Sequence, residues 1–280
     1  MQYKIIALDL DGTLTNSEKI ITDETKRWLI GYQLAGGKLI LASGRPTYGI
    51  LDHAKTLHLD RFGGYILAYN GGCVIDCKSG EILFQQTFPR ELLPEICDII
   101  KDYNVGINTY QDNNIIAGNN VNKYTEIEAK INGMNIKFVE DFPGYVDFDI
   151  NKCLLQGEPD EIVKLEAILS EKYKGTLGVF RSESYFLELV PNGIDKAQSI
   201  DRLLKMIKIP TEQCIACGDG FNDISMIEYA GLGVAMENAK DSVKEAADVI
   251  TLSNDNEGIS HLLRTLPRGF GRKSGHSKKI

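Results

Sequence analysis

Nowhere in the chain does an apolar run extend beyond a few residues. A transmembrane helix needs roughly 20 apolar residues in succession, so none is expected. The first thirty residues lack both the basic start and the long apolar segment of a secretory leader, which predicts a cytoplasmic protein with no membrane partner. Positive charge is also short: the formal net charge is −8, whereas nucleic-acid binders present clustered basic surface, so no nucleic-acid partner is expected. The body of the chain has no repeat of solenoid length and no low-complexity tract. With 43% hydrophobic and 25% charged residues over 280 positions, what is left is an ordinary globular chain, long enough for one large domain or two modest ones.

Cysteines in a metal-binding or disulfide pattern are lacking as well. Six are present, and two pairs lie close in sequence, Cys214-Ile-Ala-Cys217 and Cys73-Val-Ile-Asp-Cys77. If IACGDG ends a strand, the first pair faces opposite sides of a sheet, and the second spans about 13 Å of extended chain. Buried reduced thiols are the expectation.

What is present is an alternation of strand and helix. Lys4–Leu8 reads as an apolar strand. Thr22 opens a helix with an apolar stripe through Trp28, Leu29, Tyr32 and Ala35, closed by Gly36-Gly37. KLILA (38–42) is a second strand, Pro46 starts a helix through Leu57, and YILAY (65–69) is a third strand ending at Asn70. Near-continuous apolar strands separated by helices imply a parallel sheet covered on both faces, with functional loops at the C-terminal strand ends. From Cys73 the rhythm changes to hairpins and separate helices, and after Pro191 the first pattern resumes. The fold class predicted is α/β, a Rossmann-like doubly wound parallel-sheet core at 1–82 and 191–267 interrupted by an α+β insert at 83–190. The tail at 268–280 is basic and aperiodic, and is expected to be flexible.

Two acidic clusters sit at predicted strand ends. DLDGTLT (9–15) carries Asp9 and Asp11, and GDGFND (218–223) carries Asp219, Asn222 and Asp223. Four carboxylates converging on one strand-end crevice repel one another unless a cation lies nearby, and an all-oxygen donor set selects a hard divalent ion, here Mg²⁺. Lys196, near a helix start where the macrodipole disfavours a cation, calls for an anion. Ser43 adds a hydroxyl and exposed amides suited to phosphate oxygens, and Gly12 and Gly44 allow close backbone approach. Singly, an Asp-x-Asp is a common turn or cap, Lys196 reads as a surface residue, and Arg45 and Asn70 as structural ones. The ordered set at four element ends is what carries the reading.

These motifs resemble, in order, the four of the haloacid dehalogenase superfamily: DLDGT, the serine of LILASGR, the lysine of NGIDKAQSI, and GDGFNDISM. Nearly the whole chain is similar to phosphatases of the Cof type, subfamily IIB, whose inserted cap is of the class called C2B. The resemblance implies hydrolysis of small phosphorylated metabolites, sugar phosphates above all. Asp9 is then the nucleophile that becomes an aspartyl-phosphate, and Asp11 the acid and base. The metal ligands implied are Asp9, Asp219 and the backbone carbonyl of Asp11, with Asp223 in support. Leu10, Gly12, Ser43, Gly44, Lys196 and Asn222 are implied to hold phosphoryl oxygens, and Arg45 and Asn70 to meet the phosphate or its attached group. One departure is Asp195, where relatives often have a small or hydroxylated residue; a helix cap is its expected role.

Rival readings share part of this set. A receiver-type module is shorter and has no use for Asp11, and a true dehalogenase needs neither Asp11 nor Mg²⁺. A phosphosugar mutase uses the same aspartate pair, and a non-catalytic Mg²⁺-dependent phosphometabolite-binding protein keeps the site without turnover.

Overall fold

The computed structural model of the chain describes residues 2–266, and the tail expected at 268–280 lies outside them. The strands run β1 (Ile5–Leu8), β2 (Lys38–Ala42), β3 (Tyr65–Ala68), β4 (Cys73–Asp76), β5 (Ile82–Gln85), β6 (Val105–Gln111), β7 (Asn114–Gly118), β8 (Asn135–Phe138), β9 (Cys153–Gly157), β10 (Leu177–Glu183), β11 (Phe186–Pro191), β12 (Cys214–Gly218), β13 (Leu232–Ala235) and β14 (Val249–Ile250). The helices are α1 (Asp23–Leu34), α2 (Tyr48–Thr56), α3 (Leu59–Phe62), α4 (Leu93–Ile100), α5 (Lys123–Asn132), α6 (Phe142–Tyr145), α7 (Pro159–Lys172), α8 (Lys196–Ile207), α9 (Ile224–Tyr229), α10 (Asp241–Ala246) and α11 (Gly258–Thr265). Contacts divide the chain into two compact units, one up to Ile40 and again from Leu204, the other from Leu41 to Leu203.

In the first unit β1 pairs in parallel with β12, β12 with β13 and β13 with β14. Every residue of β1 and β12 is buried, as befits parallel strands covered on both faces. The last strand is shorter than DVITL predicts: only Val249 and Ile250 pair, and both are exposed at the sheet edge. Helix α1 is capped by Thr22, as expected, but its buried side chains are Thr25, Leu29 and Gln33, while Trp28 is exposed. The predicted stripe gives way because Thr22 and Thr25 both donate to Glu257 Oε2, at 2.8 and 2.9 Å, and these bonds turn the polar threonines inward.

The second unit holds two sheet systems. Strands β3, β4 and β5 form an antiparallel meander, the hairpin predicted around Lys78-Ser79-Gly80. A six-stranded sheet follows in the order β10-β11-β9-β6-β7-β8, antiparallel except between β7 and β8. Strand alternation gives it two unlike faces. Ile107, Leu155, Leu187 and Leu189 join Ile96 of α4 and Ile162 and Leu165 of α7 in an apolar core. Their neighbours Asn108, Gln156 and Glu188 are polar yet buried. Helix α5 supplies partners on that side: Thr125 is bonded to Gln156 at 2.9 Å, and Glu128 accepts from the Tyr110 hydroxyl at 2.7 Å. Its N-terminus is closed by a capping box between Asn122 and Thr125.

All six cysteines are free. Burial pushes Cys73 up to about 11 and Cys214 up to about 12, so these thiols stay protonated at neutral pH and inert. Among the described residues no helix is long and apolar enough to cross a membrane.

Burial also raises the Glu128 carboxyl above its ordinary 4.5, outweighing the nearby Lys152 ammonium and the Tyr110 hydroxyl. The folded chain therefore holds this proton more tightly than the unfolded chain does. The stability Glu128 contributes is complete below its unfolded value and lost as pH rises through the folded one. Urea denaturation of Glu128→Gln beside the parent chain is expected to show the variant gaining relative stability as pH rises from 4.5. A difference that shrinks with rising pH contradicts this.

Candidate active site

Because β1 and β12 are parallel neighbours with Leu8 beside Cys217, their C-terminal ends lie level. Asp9 follows one and Asp219 is the first residue after the other, with Asp9 N donating to the Cys217 carbonyl at 3.0 Å. One carboxylate oxygen from each of Asp9, Asp219 and Asp223 lies within 4.8 Å of the others. Asp9 and Asp223 are buried, the latter completely.

The loops around these acids are tightly specified. Leu10 O accepts from Thr13 N and Thr15 N, which turns the chain sharply after Asp9. Gly12 sits at φ +83°, and a Cβ there would lie 2.4 Å from Asp219 Oδ2, so only glycine lets the turn approach that carboxylate. Thr13 donates to Asp219 Oδ1 at 2.8 Å, and Asn238 donates to the Gly12 carbonyl at 2.8 Å. On the other side Asp223 Oδ2 accepts from the amides of Asp219 and Gly220, at 3.0 and 2.9 Å. Asp223 therefore fixes the loop that presents Asp219. A 3₁₀ turn over Phe221–Asp223, preceding α9, leaves Asn222 exposed at the rim.

The Asp11 side chain does not join the three-acid group. The alternation that would aim it alongside Asp9 holds only in extended chain, and β1 ends at Leu8. After the turn its carboxylate meets Lys19 Nζ at 2.8 Å.

The second unit assembles the remaining predicted residues around the ends of β2 and β3. Ser43 N donates to Leu67 O, and Asn70 N donates to Ser43 O, both at 2.9 Å. Ser43 Oγ accepts from Arg45 N at 3.1 Å. A Cβ on Gly44 would lie 3.2 Å from the Asn70 amide nitrogen, which places these two side by side. Tyr69 and Asn70 both take positive φ, 55° and 56°, a conformation costly for tyrosine and tolerated by asparagine. Arg45 Nη1 donates to the carbonyls of Gly49 and Ile131, at 3.3 and 3.2 Å.

Helix α8 starts at Lys196, which is 1% exposed. Asp195 accepts from Gln198 N at 3.0 Å, the capping role its position predicts. Ser199 donates to the Gly71 carbonyl at 2.8 Å, docking this helix start on the Asn70–Gly72 segment. A cavity of about 570 Å³ lies in the same unit, walled by Tyr48, Tyr69 and Tyr110 among others, and none of the predicted site residues lines it.

A hard divalent cation fits the first cluster on chemistry alone: the donors are all carboxylate oxygens, and they crowd where charge is costly unless neutralised. Sequence reasoning passed over Thr13, although it stands inside the Asp-Gly-Thr motif, and Lys152, which donates to the Gly44 carbonyl at 3.2 Å. Nothing around Lys152 in the sequence sets it apart from a surface lysine.

A family model described as haloacid dehalogenase-like hydrolase matches residues 6–263. A haloacid dehalogenase-like hydrolase from Bacteroides thetaiotaomicron, solved by crystallography, is 45% identical, with a TM-score of 0.91 over 94% of this chain and 98% of its own. A solved sugar phosphatase of HAD subclass IIB is 25% identical, with a TM-score of 0.79 over 93% and 98% of the two chains. The 5-amino-6-(5-phospho-D-ribitylamino)uracil phosphatase YcsE of Bacillus subtilis is 28% identical over 94% of this chain and 96% of its own length. The fold expected from the sequence is the fold of these structures.

Gly12 and Gly36 both take positive φ, but only at Gly12 would a Cβ meet other atoms. Gly36→Ala is expected to lose roughly 1–2 kcal/mol, the left-handed penalty alone, and Gly12→Ala clearly more, in urea denaturation of the two variants. Equal losses would mean that the Asp219 carboxylate yields freely.

Proposed function

The chain belongs to the haloacid dehalogenase-like hydrolase family and is a phosphoric monoester hydrolase; we propose that it acts on small sugar phosphates with Mg²⁺ through an aspartyl-phosphate on Asp9. The observation that carries this reading is the convergence of Asp9, Asp219 and Asp223 at two level strand ends. The sugar phosphatase among the solved relatives supports the substrate class.

Asp9 and Asp219 would hold the metal through their carboxylates and Asp11 through its backbone carbonyl, with Asp223 fixing the loop behind them. Mg²⁺, when bound, supplies positive charge for the phosphoryl oxygens. Asp9 attacks phosphorus: the Oδ–P bond forms, the bond from phosphorus to the ester oxygen breaks, and Asp11 gives that oxygen its proton. Water then attacks the same phosphorus, Asp11 takes the proton back, and the Oδ–P bond breaks to release phosphate. An acid and base of this kind must keep its side chain out of the metal cluster, and Asp11 does. Leu10, Gly12, Ser43, Gly44, Lys196 and Asn222 are assigned to the phosphoryl oxygens, where fixed donors and a buried cation stabilise spreading negative charge. Asn70 and Arg45 are assigned to the phosphate or its attached group. Residues 83–190 form the inserted cap, which reads the leaving group.

Asp9→Asn is expected to lower hydrolysis of an aryl phosphate by at least ~10⁴-fold while its thermal unfolding stays cooperative, as loss of a nucleophile demands. Retained turnover in that variant refutes the nucleophile assignment. With a sugar monophosphate, release of free phosphate supports the hydrolase, and an isomeric phosphosugar would instead mean a mutase. Mg²⁺ is expected to raise the melting temperature of the parent chain and not of Asp219→Asn, since binding only the folded state stabilises it. An equal rise in both removes Asp219 from the ligand set.

A further inference from the structure

Lys152 immediately precedes β9 and is only 3% exposed. Its ammonium meets Glu188 Oε2 at 2.9 Å, lies 5.3 Å from the centre of the Tyr110 ring, and donates to the Gly44 carbonyl at 3.2 Å. Glu188 is held in turn, its Oε1 accepting from the Ser182 hydroxyl at 2.9 Å. A buried pair of this kind is weak support for stability, because the desolvation of two charges offsets their attraction. Its placement calls for another account.

That account lies in the peptide unit the lysine touches. The Gly44 carbonyl and the Arg45 N–H belong to one amide, and the Arg45 N–H donates to Ser43 Oγ at 3.1 Å. An unbroken path thus runs from ammonium to carbonyl, through the peptide group, and from amide to hydroxyl. A cation at the carbonyl end draws electron density along the unit and makes its N–H a stronger donor, and a hydroxyl that accepts a stronger bond gives its own proton more readily. The Ser43 hydroxyl has one proton to give, and the Arg45 amide already occupies a lone pair.

We propose that Lys152 is a positioning residue for Ser43: through the Gly44–Arg45 peptide it orients and strengthens the hydroxyl as a donor to a phosphoryl oxygen. The inference rests on the assignment of Ser43 to the phosphate given above. It also gives the 83–190 segment a part in the chemistry besides reading the leaving group, since Lys152 reaches the Ser43 loop from that segment.

The test is a double-mutant cycle on the full chain with an aryl phosphate and Mg²⁺, pairing Lys152→Met with Glu188→Gln so that the ion-pair partner of the lysine is not left charged and buried. Because the effect is relayed rather than direct, these changes are expected to lower kcat about tenfold, less than loss of a direct donor, with KM shifting by less than about threefold. In a Ser43→Ala background the same changes are expected to lower kcat by less than about twofold, the mark of coupled sites. Equal losses in both backgrounds, or none in either, overturn the relay while leaving the phosphatase reading intact. Full activity of Ser43→Ala alone overturns the phosphate role of Ser43 and the relay together. Lys152→Arg, which keeps the cation and its partner, is expected to retain most of the parent kcat and a cooperative melt; a loss as large as that of the paired variant points to shape rather than charge and sinks the proposal.

Discussion

Bringing like charges together is the constraint on which the candidate site depends. Asp9, Asp219 and Asp223 place carboxylate oxygens within 4.8 Å of one another at the ends of two parallel strands. Repulsion at that range is large wherever water is excluded, so the backbone must hold the acids in place. It does so with small, specific devices: a left-handed glycine at position 12 against the Asp219 carboxylate, a threonine hydroxyl on the same group, and two amides that lock Asp223 to the loop preceding it. The parallel sheet makes this possible, because neighbouring strands that end level deliver their following residues to one place.

The second unit solves a related problem with hydrogen bonds in place of charge. Ser43, Gly44 and Asn70 are tied to each other through main-chain bonds and close packing, and the start of α8 is docked onto the strained segment that carries Asn70. Lys196 stands buried at the start of that helix. The six-stranded sheet contributes the less expected part. One of its faces is an ordinary apolar core, and the other is a buried polar row in which Lys152, Glu188, Glu128 and Tyr110 are joined or adjacent. Such a row is a poor way to add stability and a good way to place a charge at a fixed point.

The α/β class, the opening strands β1, β2 and β3 with helices α1 and α2, and the two acidic loops were legible in the sequence, because periodicity and motif spacing are local properties that survive folding. The Asp195 cap and the capped start of α1 were equally plain. Local pattern misjudged the buried side of α1, where two threonine bonds to Glu257 outrank the apolar stripe, and the length of the edge strand β14. It also aimed Asp11 alongside Asp9, which holds only for a chain that stays extended past Leu8.

By itself, then, the sequence determined which residue types stand at which element ends, and hence the chemistry available to the protein. Only the tertiary structure decided which carboxylates meet, that Asp11 stays outside their group, and that a lysine 108 positions away from Gly44 reaches its carbonyl. The physical reason is that pairing across strands and burial of charge are long-range outcomes. No spacing along the chain encodes them, because they depend on how separate segments are brought level and what water is left between them.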